Sequence, residues 1–456
     1  MREPLLPHPS SRCYVCPSMT NSKPMQTWRL KSGADRRFRS GHPWVYSNEL
    51  AASPAGIEPG APIELCDAGG KFLARGYGNP HSLIAFRVLS RNPAVAEPLA
   101  AGEIAKVLLE ALALRLSMGF GKTSFRLCFG EADGLPGLVI DRYRLASSQV
   151  FVVQAHTAGM DRILPEIEKI LEKVTQSLAG AGEPAWERTG IVIRNDLGVR
   201  KLEGIEEQAP RVLRDLSGVS LMEAKILVRA AGSGSPLEFQ VDLLKGQKTG
   251  FFLDQAGNVE LAVTRLKSLR PKNAQEPLRI LDLCTYVGQW GAQLARAFHG
   301  QGVPVEVTAV DASAQALEFA RRNIEAEGGV CTLLRGDVLK DLETLTSSSF
   351  DLVISDPPAL IKGRKDVPAG THAYLQLNTQ VFRLVRPGGA VVCCSCSGLL
   401  EEESFIQTLS KAAYRNRRSV RWIARGGQSS DHPALLEFPE GRYLKAWIGF
   451  ASRNES

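Results

Sequence analysis

Three cysteines stand close together near the carboxyl end of the chain, in the stretch "AVVCCSCSGLL" at residues 390–400. Cys393, Cys394 and Cys396 follow the turn "RPGG", and their apolar run is typical of a buried strand. Buried cysteine usually behaves as a small hydrophobic side chain, which is the structural interpretation of all three. A thiolate at the end of a strand is also a strong nucleophile, and Cys396 lies where the apolar run ends. Cys396 is therefore the candidate for covalent catalysis.

A thiol at the end of a strand has a specific use in pyrimidine chemistry. Carbon 5 of a pyrimidine is a poor nucleophile, but addition of a thiolate to carbon 6 turns the ring into an enamine that can attack a methyl donor. The motif "DPPAL", which begins at Asp356, points the same way. In methyltransferases that act on amines, the fourth residue of this motif is usually an aromatic ring that stacks on the target base, whereas Ala359 stands here. Methylation of an amine therefore loses support.

Acidic residues end, or closely follow, several apolar runs of strand length. Asp311 follows "VEVTAV", Asp337 follows "CTLLRG" and Asp356 follows "FDLVIS", while Asp282 lies inside "ILDLC" before a turn with Gly288. Each aspartate alone could cap a helix, but a shared sheet edge favours a ligand: a carboxylate after the second strand accepts hydrogen bonds from ribose hydroxyls. The loop "CTYVGQWG" has too few glycines for the pyrophosphate-binding GxGxxG pattern. An adenosine cofactor without phosphate is favoured, with S-adenosylmethionine as the candidate.

The candidate residues must be positioned by strands that end at one edge of a sheet. The apolar runs "LRILDLC", "VEVTAVD", "FDLVISD" and "GAVVCCSC" alternate with amphipathic stretches such as "SAQALEFARRNIEAEG". This alternation predicts an α/β domain with an open, mostly parallel sheet covered on both faces, a Rossmann-like fold, over residues 226–456. Ligands of such sheets bind beyond the carboxyl ends of the strands, where the aspartates and Cys396 are expected.

The rest of the chain predicts two smaller domains and a tail. Short apolar stretches separated by Gly, Pro and Asn predict an N-terminal β-barrel of about five strands over residues 26–100. Alternating strand and helix patterns predict a central α+β domain over residues 101–225. Residues 1–25, rich in Pro and Ser, are expected to be a disordered extension. Their pair Cys13 and Cys16 has the spacing of half a zinc site without a second half, so no metal site is predicted.

Composition bounds the class of protein. The 456 residues are 44% hydrophobic and 23% charged, which is typical of globular domains with sizeable cores. No apolar run approaches the roughly 18 residues of a membrane span, and the first residues lack the apolar centre of a signal peptide. Nine cysteines without regular spacing indicate reduced thiols rather than a disulfide framework. We therefore expect a cytoplasmic protein without a membrane partner.

Positive charge is concentrated at the start of the chain. The formal net charge is +7, and the first hundred residues hold 12 Lys and Arg against 7 Asp and Glu. The segment "WRLKSGADRRFRSGHPWVYSNEL" places Arg36, Arg37 and Arg39 near Trp44. Guanidinium groups pair with phosphate and aromatic rings stack on unpaired bases, so this mixture suits RNA. A solvated charged face with the aromatic rings in the core is the equally weighted alternative.

Several motifs in order resemble one known family. "KTGFFLDQ", "DPPAL", "RPGG", "SCSGLL" and "DHPALLEFPEGRYLK" together resemble the PUA-domain-containing ribosomal RNA 5-methylcytosine methyltransferases, which act on large-subunit RNA in bacteria. The resemblance covers about residues 26–450. It implies an N-terminal PUA domain that binds RNA, a central α+β domain and a Rossmann-like domain that uses S-adenosylmethionine. The expected partner is large-subunit ribosomal RNA, and a homodimer stays open.

The resemblance also implies roles for particular residues. Cys396, the second cysteine of "CSCS", becomes the nucleophile, and Asp356 lies near the cytosine ring. The resemblance places Gln255, Tyr286, Asp311 and Asp337 around S-adenosylmethionine, and the strand-end pattern adds Asp282 and Gly288 as candidate cofactor residues. Lys248 is expected to contact RNA, and it is also one of three candidates, with Asp356 and ordered water, for the base that removes the carbon 5 proton.

The chain departs from the family pattern in two places, and two other functions remain open. Its first loop reads "YVGQW" where the family usually has "YTGGF", which changes the cofactor cradle, and "AGNVE" lacks the arginine common after "FFLDQ". One alternative function is methylation of a different atom, such as a guanine nitrogen, with Cys396 structural. The other is a ribosome assembly factor that binds RNA without catalysis.

Overall fold

The fold is described from a computed structural model, which covers residues 25–178, 183–232 and 234–453. The predicted disordered extension, with Cys13 and Cys16, lies outside the described residues apart from Met25. Within the covered ranges, no helix is both long enough and apolar enough to cross a membrane.

The N-terminal region is a small sheet with a short helix. Its elements are β1 (Gln26–Arg29), α1 (Arg36–Arg39), β2 (Trp44–Val45), β3 (Ala61–Cys66), β4 (Phe72–Gly78) and β5 (Phe86–Ser90). The strand order is β1-β3-β4-β5-β2, with β1 parallel to β3 and the other pairs antiparallel. Asp67 turns the β3–β4 hairpin, since its Oδ1 accepts from the N–H groups of Gly69 and Lys71. The strand number matches the prediction, and the four-residue helix α1 forms within the basic segment.

The central region is a second five-stranded sheet with helices packed on it. Its elements are α2 (Ala101–Ser117), β6 (Phe125–Phe129), β7 (Leu138–Arg144), β8 (Gln149–Ala155), α3 (Ala158–Asp161), α4 (Ile167–Ser177), β9 (Thr189–Ile193), α5 (Val199–Leu202) and β10 (Arg211–Arg214). The order is β10-β9-β8-β7-β6. Apolar residues of α2 and α4, spaced three and four apart, share one core with the sheet: Ile104, Leu108 and Leu112 meet Ile170 and Val174.

A hairpin joins the central region to the large domain. Its strands are β11 (Ala224–Val228) and β12 (Leu237–Val241), paired antiparallel. The domain boundary predicted between residues 225 and 226 falls inside β11. Ile226 and Phe239 belong to a hydrophobic cluster that runs from Tyr143 and Val150 of the central sheet into the C-terminal domain, so the hairpin packs against both regions.

The C-terminal domain is the predicted α/β sheet. Its elements are α6 (Ala256–Leu266), β13 (Leu278–Leu283), α7 (Gln289–His299), β14 (Val305–Asp311), α8 (Ala314–Ala326), β15 (Gly329–Arg335), β16 (Phe350–Ser355), α9 (Val367–Leu384), β17 (Val385–Ser395), α10 (Glu402–Arg415), β18 (Arg418–Gly426) and β19 (Lys445–Arg453). The described strands run in the order β15-β14-β13-β16-β17-β19-β18, and β19 is antiparallel to both of its neighbours. Alternate residues of β13 face opposite cores: Ile280 packs with helices α6 to α8, and Leu281 with α9 and α10.

The three regions are joined by buried polar contacts. Arg87 of β5 forms an ion pair with Glu203 at 2.7 Å, and both side chains are almost fully buried. Between the central and C-terminal regions, the backbone N–H of Arg126 donates to Asp431 Oδ2 at 2.8 Å. Removal of one partner of a buried ion pair strongly destabilises a protein, because the other charge is left buried without compensation. These contacts therefore hold the regions in their relative positions.

Candidate active site

A cavity of about 360 Å³ opens at the carboxyl edge of the large sheet. We call it the first cavity. Because five neighbouring parallel strands end at this edge, the residues that follow them converge, as the sequence predicts. The predicted site residues that line it are Lys248, Gln255, Tyr286, Asp311, Asp337, Asp356 and Cys396.

The three cysteines separate as predicted in position. Cys393 and Cys394 lie inside β17 and are fully buried, whereas Cys396 follows the strand and is half-buried at the cavity. The Cys396 thiol donates to the carbonyl oxygen of Pro357 at a sulfur–oxygen distance of 3.6 Å. Burial, reinforced by the negative charge of Asp356, raises the pKa of Cys396 to about 11. The resting group is thus a thiol, and a nucleophilic role requires a nearby proton acceptor.

Asp356 lines the same cavity and its charge acts on the Cys396 thiol, and two side chains orient its carboxylate. Its Oδ1 accepts from Gln255 Nε2 at 2.7 Å, and its Oδ2 accepts from the indole N–H of Trp290 at 3.1 Å. Burial raises the pKa of Asp356 to about 6, although these hydrogen bonds oppose the rise. Both protonation states are therefore accessible near neutral pH. Gln255, predicted as a cofactor residue, thus lines the cavity and also holds the Asp356 carboxylate. Trp290, which belongs to the "YVGQW" departure from the family pattern, holds the same carboxylate.

A charged cluster stands beside the thiol, and sequence reasoning named Lys248 of this cluster but missed Asp254 and Tyr443. Lys248 Nζ donates to Asp254 Oδ2 at 2.7 Å, and the Tyr443 hydroxyl donates to the same oxygen at 2.6 Å. Burial alone would raise the pKa of Asp254, but the charges of Lys248 and His432 and these hydrogen bonds bring it below its ordinary value. Asp254 and Tyr443 lie inside "FFLDQ" and "EGRYLK", so the motifs themselves held the signal.

The opposite wall carries groups suited to an adenosyl ligand. Asp311, the last residue of β14, accepts from the backbone N–H groups of Tyr286 at 3.0 Å and Ser313 at 2.9 Å. Asp337 is partly exposed beyond β15, and its carboxylate accepts from the N–H of Leu339. Gln289 also lines the cavity, and its Nε2 is buried without a hydrogen-bond partner among the described residues. Such an orphaned donor fits a ligand acceptor.

Backbone strain is concentrated at the same site. Lys248, Cys284 and Tyr286 adopt left-handed φ values of 53°, 60° and 51°. All three line the first cavity, although few non-glycine residues adopt this conformation. Strain of this kind persists only where the surroundings hold it, and it clusters at functional sites.

Two predicted cofactor residues do not line the cavity. Asp282 is fully buried, and its Oδ2 accepts from Thr285 Oγ1 at 2.6 Å and from the N–H of Gly291 at 3.2 Å. Burial raises the pKa of Asp282 to about 7. Gly288 is the N-cap residue that precedes α7 and has φ of 80°, and a Cβ there would lie 3.0 Å from Ala320 Cα. The structure thus places Asp282 near the end of β13 and Gly288 in the loop between β13 and α7, behind the cavity wall.

The basic N-terminal segment is largely neutralised by carboxylates. Arg37 forms an ion pair with Glu49 at 3.1 Å, and Arg39 forms ion pairs with Asp35 and, at 2.6 Å, with Asp67. Arg36 is exposed on α1 and has no ion pair within the described residues.

Trp44 faces the junction between the regions rather than open solvent. Its indole N–H donates to Glu131 at 2.9 Å, and its ring packs edge-on against Phe438 with centroids 4.7 Å apart. The surroundings of Trp44 therefore agree in part with the alternative to an RNA surface, in which the aromatic rings pack in the core.

A second basic segment was overlooked. Lys362, Arg364 and Lys365 are exposed in the segment after Leu360, in which Arg364–Asp366 form a 3-10 turn, and Leu360 itself lines the first cavity. Among the described residues none of the three has an ion pair or hydrogen bond through its side chain. The letters "KGRK" directly after "DPPALI" were the available signal. Unpaired cations beside a site are suited to phosphate groups.

Comparisons with known proteins agree with this architecture. Residues 29–91 match a PUA-like domain, and residues 275–437 match a methyltransferase domain. A crystal structure of a methyltransferase complexed with SAH covers 93% of this chain and all of its own, with a TM-score of 0.71 at 17% identity. A SAM-dependent methyltransferase from Streptococcus mutans gives a TM-score of 0.68 at the same identity and coverage. These likenesses establish the fold.

The curated relatives establish the family. Ribosomal RNA large subunit methyltransferase I of Erwinia tasmaniensis is 32% identical over 431 residues, which covers 93% of this chain and 98% of the relative. The protein of that name from Klebsiella pneumoniae is 31% identical over 433 residues, with 93% and 97% covered. The chain therefore belongs to the ribosomal RNA large subunit methyltransferase I family.

Proposed function

We propose that the protein transfers a methyl group from S-adenosylmethionine to carbon 5 of a cytosine in large-subunit ribosomal RNA, through a covalent bond between Cys396 and carbon 6. The observation that supports this most is the meeting of the Cys396 thiol, the Asp356 carboxylate and the adenosyl-type wall in one cavity. The relatives' name supplies the class of substrate.

The residues of the first cavity fit S-adenosylmethionine. Asp311 and Asp337 would accept hydrogen bonds from ribose hydroxyls, and the orphaned Gln289 amide would donate to the carboxylate of the methionine portion. The apolar side chains of Val338 and Leu360 complete a surface for the adenine ring. When bound, S-adenosylmethionine supplies the electrophilic methyl group that carbon 5 takes up.

Asp356 connects the two proton movements of the addition step. The Cys396 thiol gives its proton to the Asp356 carboxylate, and the thiolate forms a bond to carbon 6. As the ring electrons shift, Asp356 passes the proton to N3, which leaves carbon 5 as the nucleophilic end of an enamine. A pKa of about 6 for Asp356 suits both transfers.

Release of the enzyme requires loss of the carbon 5 proton. Asp356 is ionised again after it protonates N3, so we assign it to accept this proton, with Lys248 and ordered water as the alternatives. The electron pair of the carbon–hydrogen bond then restores the ring double bond and expels the Cys396 thiolate, while N3 returns its proton to solvent. Asp356 then passes the carbon 5 proton to the Cys396 thiolate, which restores both the thiol and the carboxylate, so that atoms and charge balance.

The substrate must reach this cavity as an extruded base. Unstacking a base costs a few kcal/mol, less in a loop than in a duplex. We assign phosphate contacts to Arg36 in the N-terminal region and to Arg364 and Lys365 beside the first cavity, with Arg37 and Arg39 restrained by their carboxylate partners. No comparison supports the homodimer that the sequence left open.

The experiment that tests the proposal measures 5-methylcytosine by mass spectrometry after digestion of ribosomal RNA. C396A should form none, whereas C394A, which removes the thiol two positions earlier in the buried strand, should retain activity. Full 5-methylcytosine formation by C396A would show that the thiol is structural. A methylated guanine instead would support a different target atom, and wild-type protein that binds no S-adenosylmethionine in a calorimetric titration would support a non-catalytic assembly factor.

A further inference from the structure

A second cavity of about 480 Å³ lies where the three regions meet. Trp44 comes to it from the N-terminal sheet, Phe129 from the central domain, and Phe438 and Tyr443 from the C-terminal domain. Lys248 lines both cavities and thus stands between them. The volume is within the range of about 300–1,000 Å³ typical of small-ligand sites.

The walls of the second cavity are aromatic. Trp44 and Phe438 pack edge-on at 4.7 Å between centroids, and Phe129 lies 6.2 Å from Tyr443. His156 adds a neutral ring at physiological pH, because burial and nearby arginines lower its pKa to about 4. Aromatic faces of this kind stack on nucleobases without requiring charge.

The polar groups of the second cavity are hydrogen-bond acceptors more than cations. Glu131 gives one carboxylate oxygen to the Trp44 indole N–H at 2.9 Å, and the Glu440 side chain is partly exposed there. The cations at its wall already have carboxylate partners: Arg126 pairs with Asp141 at 2.7 Å, and Lys248 with Asp254. Within the described chain, then, no lining cation is left for a phosphate, and a flat neutral group with N–H donors fits better.

We propose that the second cavity binds a second unpaired base of the same RNA, close to the base that is methylated, and that guanine fits it best. Guanine presents its N1–H and its amino group on one edge, so it can donate two hydrogen bonds to one carboxylate such as Glu131. Neither Cys396 nor Asp356 is among the residues that line this cavity, so its base is not the reacting base. The inference rests on the proposed function, since it assumes an RNA substrate.

Two cavity-filling variants separate the second cavity from the first. Ala132 is half-buried at the second cavity, and Ala312 lies at the first, so A132F and A312F block one each. A312F should lose S-adenosylmethionine binding in calorimetry. A132F should bind S-adenosylmethionine within about twofold of wild type yet methylate ribosomal RNA about 10-fold or more slowly at limiting RNA, because stacking on one base is lost. A132F that methylates RNA at the wild-type rate would overturn the proposal.

A base-specific readout excludes a merely structural effect. The substrate is a fragment of large-subunit RNA around the mapped 5-methylcytosine, with each flanking nucleotide replaced in turn by an abasic site. For wild-type protein, one abasic position should lower kcat/KM about 10-fold, and A132F should lose nothing further at that position. No such position, or equal further loss in A132F, would contradict a base in the second cavity.

A milder variant decides the matter if A132F does not fold. E131Q keeps an oxygen for the Trp44 indole N–H but loses the charge. Replacing the sensitive guanine by inosine, which lacks the amino group, should slow wild-type protein several-fold and leave E131Q unaffected; equal slowing of both would contradict guanine recognition by Glu131. Wild-type protein that forms no 5-methylcytosine in intact RNA would instead show that the proposed function fails.

Discussion

The two cavities differ in how the chain builds them. The first is lined by residues between 247 and 444, and its chemical groups follow the ends of neighbouring strands of one sheet. The second draws on residues from 44 to 443 and exists only because three regions dock. The chemical groups of the first cavity therefore come from one domain, while the second cavity forms where that domain contacts the others.

The largest effect should follow removal of the acid in the first cavity. D356N places an amide where the carboxylate meets two N–H donors, and it cannot carry the thiol proton to N3. We expect kcat to fall about 10²- to 10⁴-fold, with RNA affinity within about threefold of wild type. Single-turnover methylation and filter binding measure the two quantities. If RNA affinity fell as much as the rate, Asp356 would contribute to RNA binding rather than to catalysis, and the two cavities could no longer be assigned different roles.

The second effect concerns Asp282, which is buried behind the first cavity, and the pH dependence of the free energy of unfolding. The folded-state pKa of Asp282 is raised to about 7, so the stability that its protonated form contributes is full below about pH 4 and is lost as pH rises through 7. D282N escapes this loss. Between pH 5 and pH 8, its free energy of unfolding should gain about 2–3 kcal/mol relative to wild type.

Urea unfolding at the two pH values measures this change. D337N is the matched control, because Asp337 is partly exposed and its pKa is lowered, so it is ionised at both pH values in both states. An unchanged difference between D282N and wild type would show that Asp282 is not held in a raised-pKa state.

The surfaces around the cavities should differ in their contribution to RNA binding. Arg364 and Lys365 have no carboxylate partner among the described residues, whereas Arg37 and Arg39 are ion-paired. The double variant R364A/K365A should weaken RNA binding about 10-fold and lower the slope of log affinity against log salt by nearly two. R37A/R39A should change the slope less, since these arginines must first leave their carboxylates. The reverse order in a salt titration would restore the N-terminal segment as the main phosphate contact.

The smallest effect should come from the departure in the first loop. The hydrogen bond from the Trp290 indole N–H lowers the pKa of the Asp356 carboxyl. W290F keeps an aromatic ring but removes this bond, so the pKa of Asp356 should rise. The acid limb of the kcat–pH profile should therefore move upward by about one pH unit or less. W422F, in the Trp422–Trp447 pair on β18 and β19, is the matched control and should leave the limb in place. Identical profiles for wild type and W290F would show that Trp290 does not influence the pKa of Asp356.

The contrast between the cavities also explains what the sequence could predict. The ends of strands can be predicted from apolar runs in the sequence. This local pattern was enough to predict that Asp311 and Asp356 lie at the sheet edge and that Cys396 lies apart from Cys393 and Cys394. The partners of Asp356 were not legible, because Gln255 is 101 residues away and reaches it only when α6 packs beside the sheet.

The second cavity was beyond local pattern altogether. Trp44 meets Glu131, 87 residues along the chain, and Phe438 near its end. A basic and aromatic segment suggested an exposed RNA surface, but pairing with Glu49 and Asp67 and docking of the regions changed its surroundings. Long-range docking depends on buried contacts such as the ion pair between Arg87 and Glu203, which no window of sequence displays.

The most direct test of the central claim is to trap the bond between Cys396 and carbon 6. Ribosomal RNA made with 5-fluorocytidine carries fluorine where the proton must leave, so the adduct cannot resolve after methyl transfer. With S-adenosylmethionine, wild-type protein and C394A should give a complex that survives a denaturing gel, and peptide mass spectrometry should place the RNA on Cys396; C396A should give none. Wild-type protein that forms 5-methylcytosine on ordinary RNA but yields no adduct, or an adduct on another residue, would contradict the account.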